Sequence, residues 1–365
     1  MNEKEQLILE LIRKNAYVSQ QDLAEIVGLS RPTIANIISG LIRKGNILGR
    51  AYILNELQQV ICIGGANIDR KFHIKEKAQL GTSNPIYATQ NAGGVARNIA
   101  ENLGRLGLDV SLISACGTDK DWSFIEEASS LYMNLETVTP FPEKSTGSYT
   151  AVLDDSGDLI IALADMEVYE AITPELLLKN DSMLSRAKCI MVDLNCPKET
   201  IQFLCHFAKS HDLPIVNIPV SSPKMNRLPA DLDGVSWLIT NRDESETFFH
   251  TEIKDDQDWK ETVEKWLALG ISNVIVTNGK KGSMIGNKEE GIFQVPSIET
   301  NEIVDVTGAG DAFSSAVIYS WLEGKSLQEI AKAGSINASK TLQSAYTVRQ
   351  DLSAEQLQKD MEELS

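Results

Sequence analysis

The stretch DVTGAGDAF, Asp305 to Phe313, decides how the rest of the chain is read. Three small residues, Gly308, Ala309 and Gly310, stand directly before Asp311, and an apolar run spaced as a helix follows from Ala312 to Leu322. Two readings fit. An aspartate after a glycine turn is an ordinary cap for a helix starting near Asp311. The same residues also make a phosphate site. Small side chains admit a ligand to the backbone, and the N–H groups of Ala309, Gly310 and Asp311 would point outward at a helix start, where anions bind. Asp311 at the rim of such an anion hole is suited to take the proton from an attacking hydroxyl.

Other loops bear on the choice. NAGGVARNIAENLG sets Gly93 and Gly94 before a helix with Asn98 one turn in. A glycine pair lets a polyol lie against the backbone, and the Asn98 amide offers hydroxyls both a donor and an acceptor. IGGANID puts Asn67 and Asp69 just beyond the carboxyl end of a strand, where α/β sheets bind ligands. TNRDE offers Asn241 and Glu244 at a spacing suited to a water-bound Mg²⁺. TNGKKG supplies Thr277, Gly279 and Gly282 in a turn able to meet nucleotide phosphates. Each loop alone reads as a cap or turn. Together, at strand ends and suited to one reaction, they favour phosphoryl transfer. There is no Walker A pattern and no protein-kinase motif set.

The frame around these loops alternates. VICIGG, VSLISACG, CIMVDLN, PIVNIPV, WLITN and NVIVTNG read as buried strands. ARNIAENLGRLG, TIQFLCHFAKSH and DWKETVEKWLALG read as helices between them. This order predicts an α/β domain with a mainly parallel sheet and helices on both faces. STGSYTAVLDDSGDLIIALAD instead reads as a hairpin turning at Asp155–Asp158, an accessory sheet or lid.

Composition narrows the class. The 365 residues are 42% hydrophobic and 23% charged, as in ordinary globular proteins. No apolar run approaches the ~18 residues of a membrane span. The start of the chain is charged and helix-periodic, unlike a secretory signal. Five cysteines without CxxC spacing and four scattered histidines argue against disulfides and a zinc site, and predict a cytoplasmic protein. The net charge of −17 is uneven: residues 1–54 hold seven basic and five acidic residues (+2), residues 55–365 hold 27 and 46 (−19). The acidic part repels nucleic acid and the first part does not.

Those first residues form a pattern of their own. Leu7, Ile8, Leu11 and Ile12 mark a helix ending near Lys14, and Ser19 caps a second over QQDLAEIV. Gly28-Leu29-Ser30 is the turn into a third helix, with Pro32 in its first turn and Ile34, Ile37, Ile38, Leu41 and Ile42 on its buried face. NILGRAYIL then reads as two short strands about Gly49-Arg50. Two helices across a glycine turn followed by a hairpin wing resemble a winged helix-turn-helix DNA-binding module. Its exposed DNA candidates are Arg31, Thr33, Asn36, Arg43 and Lys44, with Arg50 on the wing. A small helical dimerisation domain is the alternative. The charge of +2 implies that DNA binding needs a homodimer.

The body, from about residue 58 to 350, resembles the ribokinase-like (PfkB) carbohydrate and nucleoside kinases in both the Gly93-Gly94 stretch and DVTGAGDAF, and its NRDE stretch resembles that family's NxxE magnesium motif. The expected domains are 1–56, winged helix-turn-helix, and 57–365, a ribokinase-like kinase with a small β lid. The resemblance implies ATP as donor, Asp311 as general base, Gly308–Gly310 as anion hole, and Asp69, Gly94 and Asn98 as sugar contacts. It further implies Mg²⁺ near Asn241 and Glu244, K⁺ at Asp305 and the carbonyl of Thr307, and Asn337 in the adenine pocket. Within the family, the N-terminal module, the hairpin segment and NIPVSSPK resemble pseudouridine kinases, which phosphorylate a nucleoside 5′-hydroxyl. In that case the hairpin around Thr150 closes over the base. Another sugar or nucleoside kinase, such as one for ribose, is the alternative substrate reading. A sugar-sensing transcription regulator on a kinase fold is the alternative class.

Overall fold

Alternate residues of the buried strands pack into two different cores, one on each side of a sheet. Ile61, Ile63, Ile190 and Val192 join one cluster, while Val60, Cys62, Cys189 and Met191 join the other. Strands apolar on both faces are what a covered parallel sheet requires. The structure, a computed structural model, describes residues 2–47, 59–300 and 303–363.

The strands of its two larger sheets are β1 (Val60–Ile63), β2 (Asn67–Ile74), β3 (Ile86–Gly93), β4 (Val110–Ile113), β5 (Ser148–Leu153), β6 (Leu159–Asp165), β7 (Cys189–Asp193), β8 (Ile215–Ile218), β9 (Trp237–Asn241), β10 (Asn273–Thr277), β11 (Ser283–Asn287) and β12 (Gly291–Val295). The eight-stranded sheet runs β12-β11-β10-β9-β8-β7-β1-β4. Its six predicted strands are all parallel, and β11 and β12 add an antiparallel edge.

The helices used below are α1 (Glu3–Lys14), α2 (Gln20–Val27), α3 (Arg31–Arg43), α4 (Val95–Arg105), α5 (Lys198–His211), α6 (Arg242–Phe249), α7 (Asp256–Ala268), α8 (Ala309–Leu322), α9 (Leu327–Leu342) and α10 (Ala354–Glu363). α5 and α7 cover one face, where Trp259 and Trp266 are fully buried. Each such side chain contributes roughly 1.5–3 kcal/mol of burial. α4, α8 and α9 cover the other face. The helices carrying Asn98 and Asp311 therefore share one side of the sheet, at the carboxyl ends of the parallel strands.

The second sheet, β3-β2-β5-β6, is the predicted lid. β2 leaves β1 after a three-residue link and pairs antiparallel with β3, placing Asn67 opposite Gly93 and Asp69 opposite Asn91. The hairpin turn closes with Asp154 N–H donating to the Asp158 carbonyl at 2.9 Å, and Gly157 takes φ 90°. Every residue of β6 is exposed.

At the N-terminus, Ile8, Ile12, Leu23, Ile34, Ile38 and Leu41 form a separate core. Ser19 and Ser30 cap α2 and α3 as expected, and Gly28 turns between them at φ 69°. One expectation fails here: Ile42 is 45% exposed, because it falls one position past the buried stripe that ends at Leu41. Residues 48–54 of the predicted wing, with Arg50, lie outside the described residues, as does the 56/57 boundary.

Candidate active site

The helix after the small-residue turn begins two residues earlier than its sequence suggests. Gly308, at φ 82°, is the N-cap of α8, and no side chain caps the helix. Asp311 is therefore not a capping residue. A Cβ at Gly308 would sit 2.1 Å from the Thr347 carbonyl oxygen, so only glycine fits. A Cβ at Gly310 meets nothing within 4 Å. The first position is small for the fold, and the second leaves open space on the ligand side. The first intrahelical bond is from Ala312 N–H to the Gly308 carbonyl, so the Gly310 and Asp311 N–H groups precede it.

Asp311 keeps some exposed surface, yet its carboxyl is packed deep against protein atoms. Burial pushes its pKa up to about 7; Asp193 and Asp69 add to the rise, and a hydrogen bond from Asn98 and the charge of Arg97 oppose it. Asn98 Nδ2 donates to Asp311 Oδ2 at 2.8 Å, and Asn98 Oδ1 accepts from Arg97 at 3.1 Å. Asn98 thus touches the Asp311 carboxyl itself.

Asn67 is buried and donates to Asp69 Oδ1 at 2.7 Å. Burial is again the main cause that lifts the Asp69 pKa to about 6. A Cβ at Gly93 would lie 2.1 Å from Asp69 Oδ2, and one at Gly94 (φ 98°) 2.4 Å from the Gly65 carbonyl. Asp69, Gly93, Gly94, Asn98 and Asp311 are therefore one connected cluster, with β2, β3, α4 and α8 each contributing.

On the far side of α8, a cavity of about 280 Å³ is lined by Thr277, Gly279 and Gly282 together with Ala309, Gly310 and Ser339. A neighbouring cavity of about 150 Å³ joins Asn241, Glu244 and Thr277 to Gly310 and Asp311. Asn241 caps α6 in a reciprocal box: Glu244 N–H donates to Asn241 Oδ1 and Asn241 N–H to Glu244 Oε2, both at 2.9 Å. Thr240 also donates to Oε2, which leaves Oε1 clear of these bonds. Burial raises the Glu244 pKa in spite of them. Among the described residues no cluster of three His, Cys, Asp or Glu forms a direct metal cage. The donor set fits a Mg²⁺ held through water.

Three expected site residues are engaged elsewhere. Asn337 does not line the cavity. It is fully buried, donates to the Ala312 carbonyl at 2.9 Å and accepts from Arg349 Nε at 3.0 Å. The neighbouring face of α9, with Ser335, Ala338, Ser339 and Leu342, forms the wall instead. Asp305 and Thr307, expected at K⁺, are already bonded: Lys71 Nζ donates to Asp305 Oδ2 and, at 3.1 Å, to Thr307 Oγ1. The Thr307 N–H and hydroxyl bind Asp305 Oδ1 at 2.9 and 2.7 Å. As arranged, the Asp305 carboxylate already carries a cation and does not fit a K⁺ ion; the Thr307 carbonyl takes no part in these bonds.

Sequence reasoning missed Asp193, Asn195 and Lys224. Asp193, fully buried at the end of β7, accepts from the N–H groups of Gly65 and Ala96 at 2.9 Å and of Asn195 at 2.8 Å. It ties the loop before β2 to the start of α4, and burial raises its pKa. Lys224 donates to Asn195 Oδ1 beside Gly65, and burial lowers its pKa against the pull of Asp193. Polar residues ending an apolar strand, DLN after CIMV, were the available signal.

At the N-terminal module, Arg31, Thr33, Asn36, Arg43 and Lys44 are all exposed on α3 or at its end. Thr33 shares a 2.8 Å hydrogen bond with the capping Ser30, and Lys44 pairs with Glu5 at 3.1 Å. Arg31, Asn36 and Arg43 make up the rest of that surface.

Residues 57–353 match the model of the pfkB family carbohydrate kinases. The chain belongs to that family. Residues 1–47 match a winged helix-turn-helix DNA-binding family, which agrees with the separate core at this end. Among relatives of this pfkB kinase, the uncharacterized sugar kinase YeiI of Escherichia coli (strain K12) is 29% identical, with 91% of each chain covered. The pseudouridine kinase of the same organism is 30% identical over 82% of this chain and 95% of its own. The fold matches that of Arabidopsis thaliana ribokinase complexed with ribose and ATP, with a TM-score of 0.74 at 20% identity, over 83% of this chain and 98% of that one.

Proposed function

We propose that this kinase transfers the γ-phosphoryl group of ATP to the 5′-hydroxyl of pseudouridine, giving pseudouridine 5′-phosphate and ADP. The observation that carries the reading is the Asp311 carboxyl. It is deeply packed, its pKa is pushed up to about 7, it lines the cavity of about 150 Å³ with Asn241 and Glu244, and it accepts from Asn98 of the Asp69–Asn98 cluster. A base with that pKa is matched to neutral pH. Asp311 accepts the hydroxyl proton as the new O–P bond forms and the bond to the ADP oxygen breaks. The N–H groups of Gly310 and Asp311 face the developing phosphoryl charge, while the Ala309 N–H donates to the Val306 carbonyl at 3.5 Å. Asn67, Asp69, Gly93, Gly94 and Asn98 hold the ribose, and Thr277, Gly279 and Gly282 face the nucleotide phosphates. Mg²⁺, when bound, offsets phosphate charge; Asn241 and Glu244 orient its water shell.

Support for pseudouridine comes from the 30% identical Escherichia coli enzyme and from Lys224, a half-buried cation able to meet a polar base edge. A ribose kinase is the second reading, favoured by the fold match to ribokinase. The lid, with Thr150 on β5, excludes water when closed. Leu159, Ile160, Ile161 and Leu163, all exposed on β6, support a homodimer. The chain acts in the cytoplasm, in keeping with five buried, unbridged cysteines. The exposed α3 surface binds DNA.

The test is ATP-dependent phosphorylation with Mg²⁺ across pseudouridine, uridine, adenosine, ribose and fructose. Preference for pseudouridine is expected. Preference for ribose would discard the nucleoside reading and keep the base assignment.

A further inference from the structure

We propose that Lys71 is a built-in cation for the anion hole, doing within the chain what a monovalent ion at Asp305 and Thr307 would otherwise do. The inference rests on reading the 308–310 turn as that hole.

The geometry is specific. Lys71 comes from the lid strand β2, 234 residues from Asp305 in sequence, and its ammonium closes a three-membered polar ring with the Asp305 carboxylate and the Thr307 hydroxyl. Both carboxylate oxygens are occupied, Oδ1 by two donors from Thr307 and Oδ2 by Lys71. The side chains are only 25% and 20% exposed, unlike a pair of solvated surface charges. Burial alone would raise the Asp305 pKa, yet the Lys71 and Thr307 contacts outweigh it and hold the pKa low. The carboxylate is therefore ionised and already neutralised. A second cation on the same oxygens would stand within a few ångströms of the ammonium, where like charges repel strongly.

The position gives the charge its role. Thr307 leads directly into Gly308, whose αL turn is locked against the Thr347 backbone, and then into the helix N-terminus. Fixing Asp305 and Thr307 fixes the turn that aims the Gly310 and Asp311 N–H groups. A fixed ammonium beside that turn also adds positive potential where phosphate arrives.

The test compares full-length protein in KCl and in tetramethylammonium chloride at equal ionic strength. A non-hydrolysable ATP analogue with Mg²⁺ is titrated by calorimetry, and turnover is measured on whichever hydroxyl compound is accepted. Wild-type affinity and turnover are expected to agree within about twofold between the two salts. Lys71→Met, a neutral side chain of similar length, should lose about tenfold or more in tetramethylammonium, and KCl should restore most of it. A wild-type gain of about tenfold from K⁺ would overturn the proposal. So would a Lys71→Met protein equal to wild type in tetramethylammonium, or a loss that KCl does not restore. The wild-type comparison needs no variant and holds even if Lys71→Met folds poorly. Failure of every substrate would count against the pseudouridine reading alone, since the binding titration still decides Lys71.

Discussion

Asp311 keeps its proton to a higher pH than a free aspartate because its carboxyl is desolvated, with Asp193 and Asp69 adding negative charge nearby. Only the ionised form accepts a proton, so kcat/KM should rise through about pH 7 and level off above it. Asp311→Asn should leave nucleoside affinity near wild type, reduce kcat by roughly three orders of magnitude or more, and flatten that rise. Steady-state kinetics from pH 5 to 9, expressed as roughly log-linear limbs, check both; near-normal turnover would reject the base. The linkage sign also predicts a gain. A carboxyl whose folded pKa is raised stabilises the fold below its unfolded pKa and loses that contribution as pH rises through about 7. Asp311→Asn should then melt higher than wild type at alkaline pH. The two glycines of the same turn should part company. Gly308→Ala meets the Thr347 backbone and should destabilise the fold. Gly310→Ala meets no protein atom, so it should keep or raise the melting temperature while weakening ATP binding. Equal ATP affinity in that variant would remove the close-approach argument.

Between elements, the decisive contacts are long-range and polar. Arg349 and Asp360, both about 2% exposed or less, form a 2.7 Å ion pair that fastens α10 to the segment after α9. Asn337 continues the link to the Ala312 carbonyl on α8. Asp360→Ala strands a buried guanidinium and should cost about 3–5 kcal/mol, whereas replacing both partners with leucine should cost much less. Chemical denaturation of the two variants decides, and equal losses would refute the pairing argument. This link explains what the sequence left hidden. The six buried strands and the Gly308–Asp311 turn were legible because each is a contiguous pattern with one physical reading. Asn337 was misplaced because a residue on a doubly covered helix can face either neighbour, and only the position of Arg349 decides which. Lys71, Asp193 and Lys224 were missed because their partners lie 234, 128 and 29 residues away, and no local period marks such pairs. Ile42 was misjudged by a single step around α3.

Across the whole molecule, an N-terminal core, the cores of the sheet and two charge regimes meet in one chain. The N-terminal core shares no residue with the clusters of the sheet. Deleting residues 1–54 should spare kinase turnover and abolish retention of DNA. A truncated protein that loses both would show that the modules depend on each other. Binding by the intact chain should weaken only shallowly with salt, since few cations face DNA and salt also screens the repulsion from residues 55–365, which carry −19. The lid strand β6 has a further consequence. Its four large aliphatic side chains, between 42% and 57% exposed, stand along a sheet edge with unused backbone groups. The proposed homodimer would cover them when the protein is concentrated and separate on dilution. Melting temperature should therefore climb with protein concentration, by mass action, and very dilute assays should find the lid wet, less firmly held and the enzyme slower per molecule.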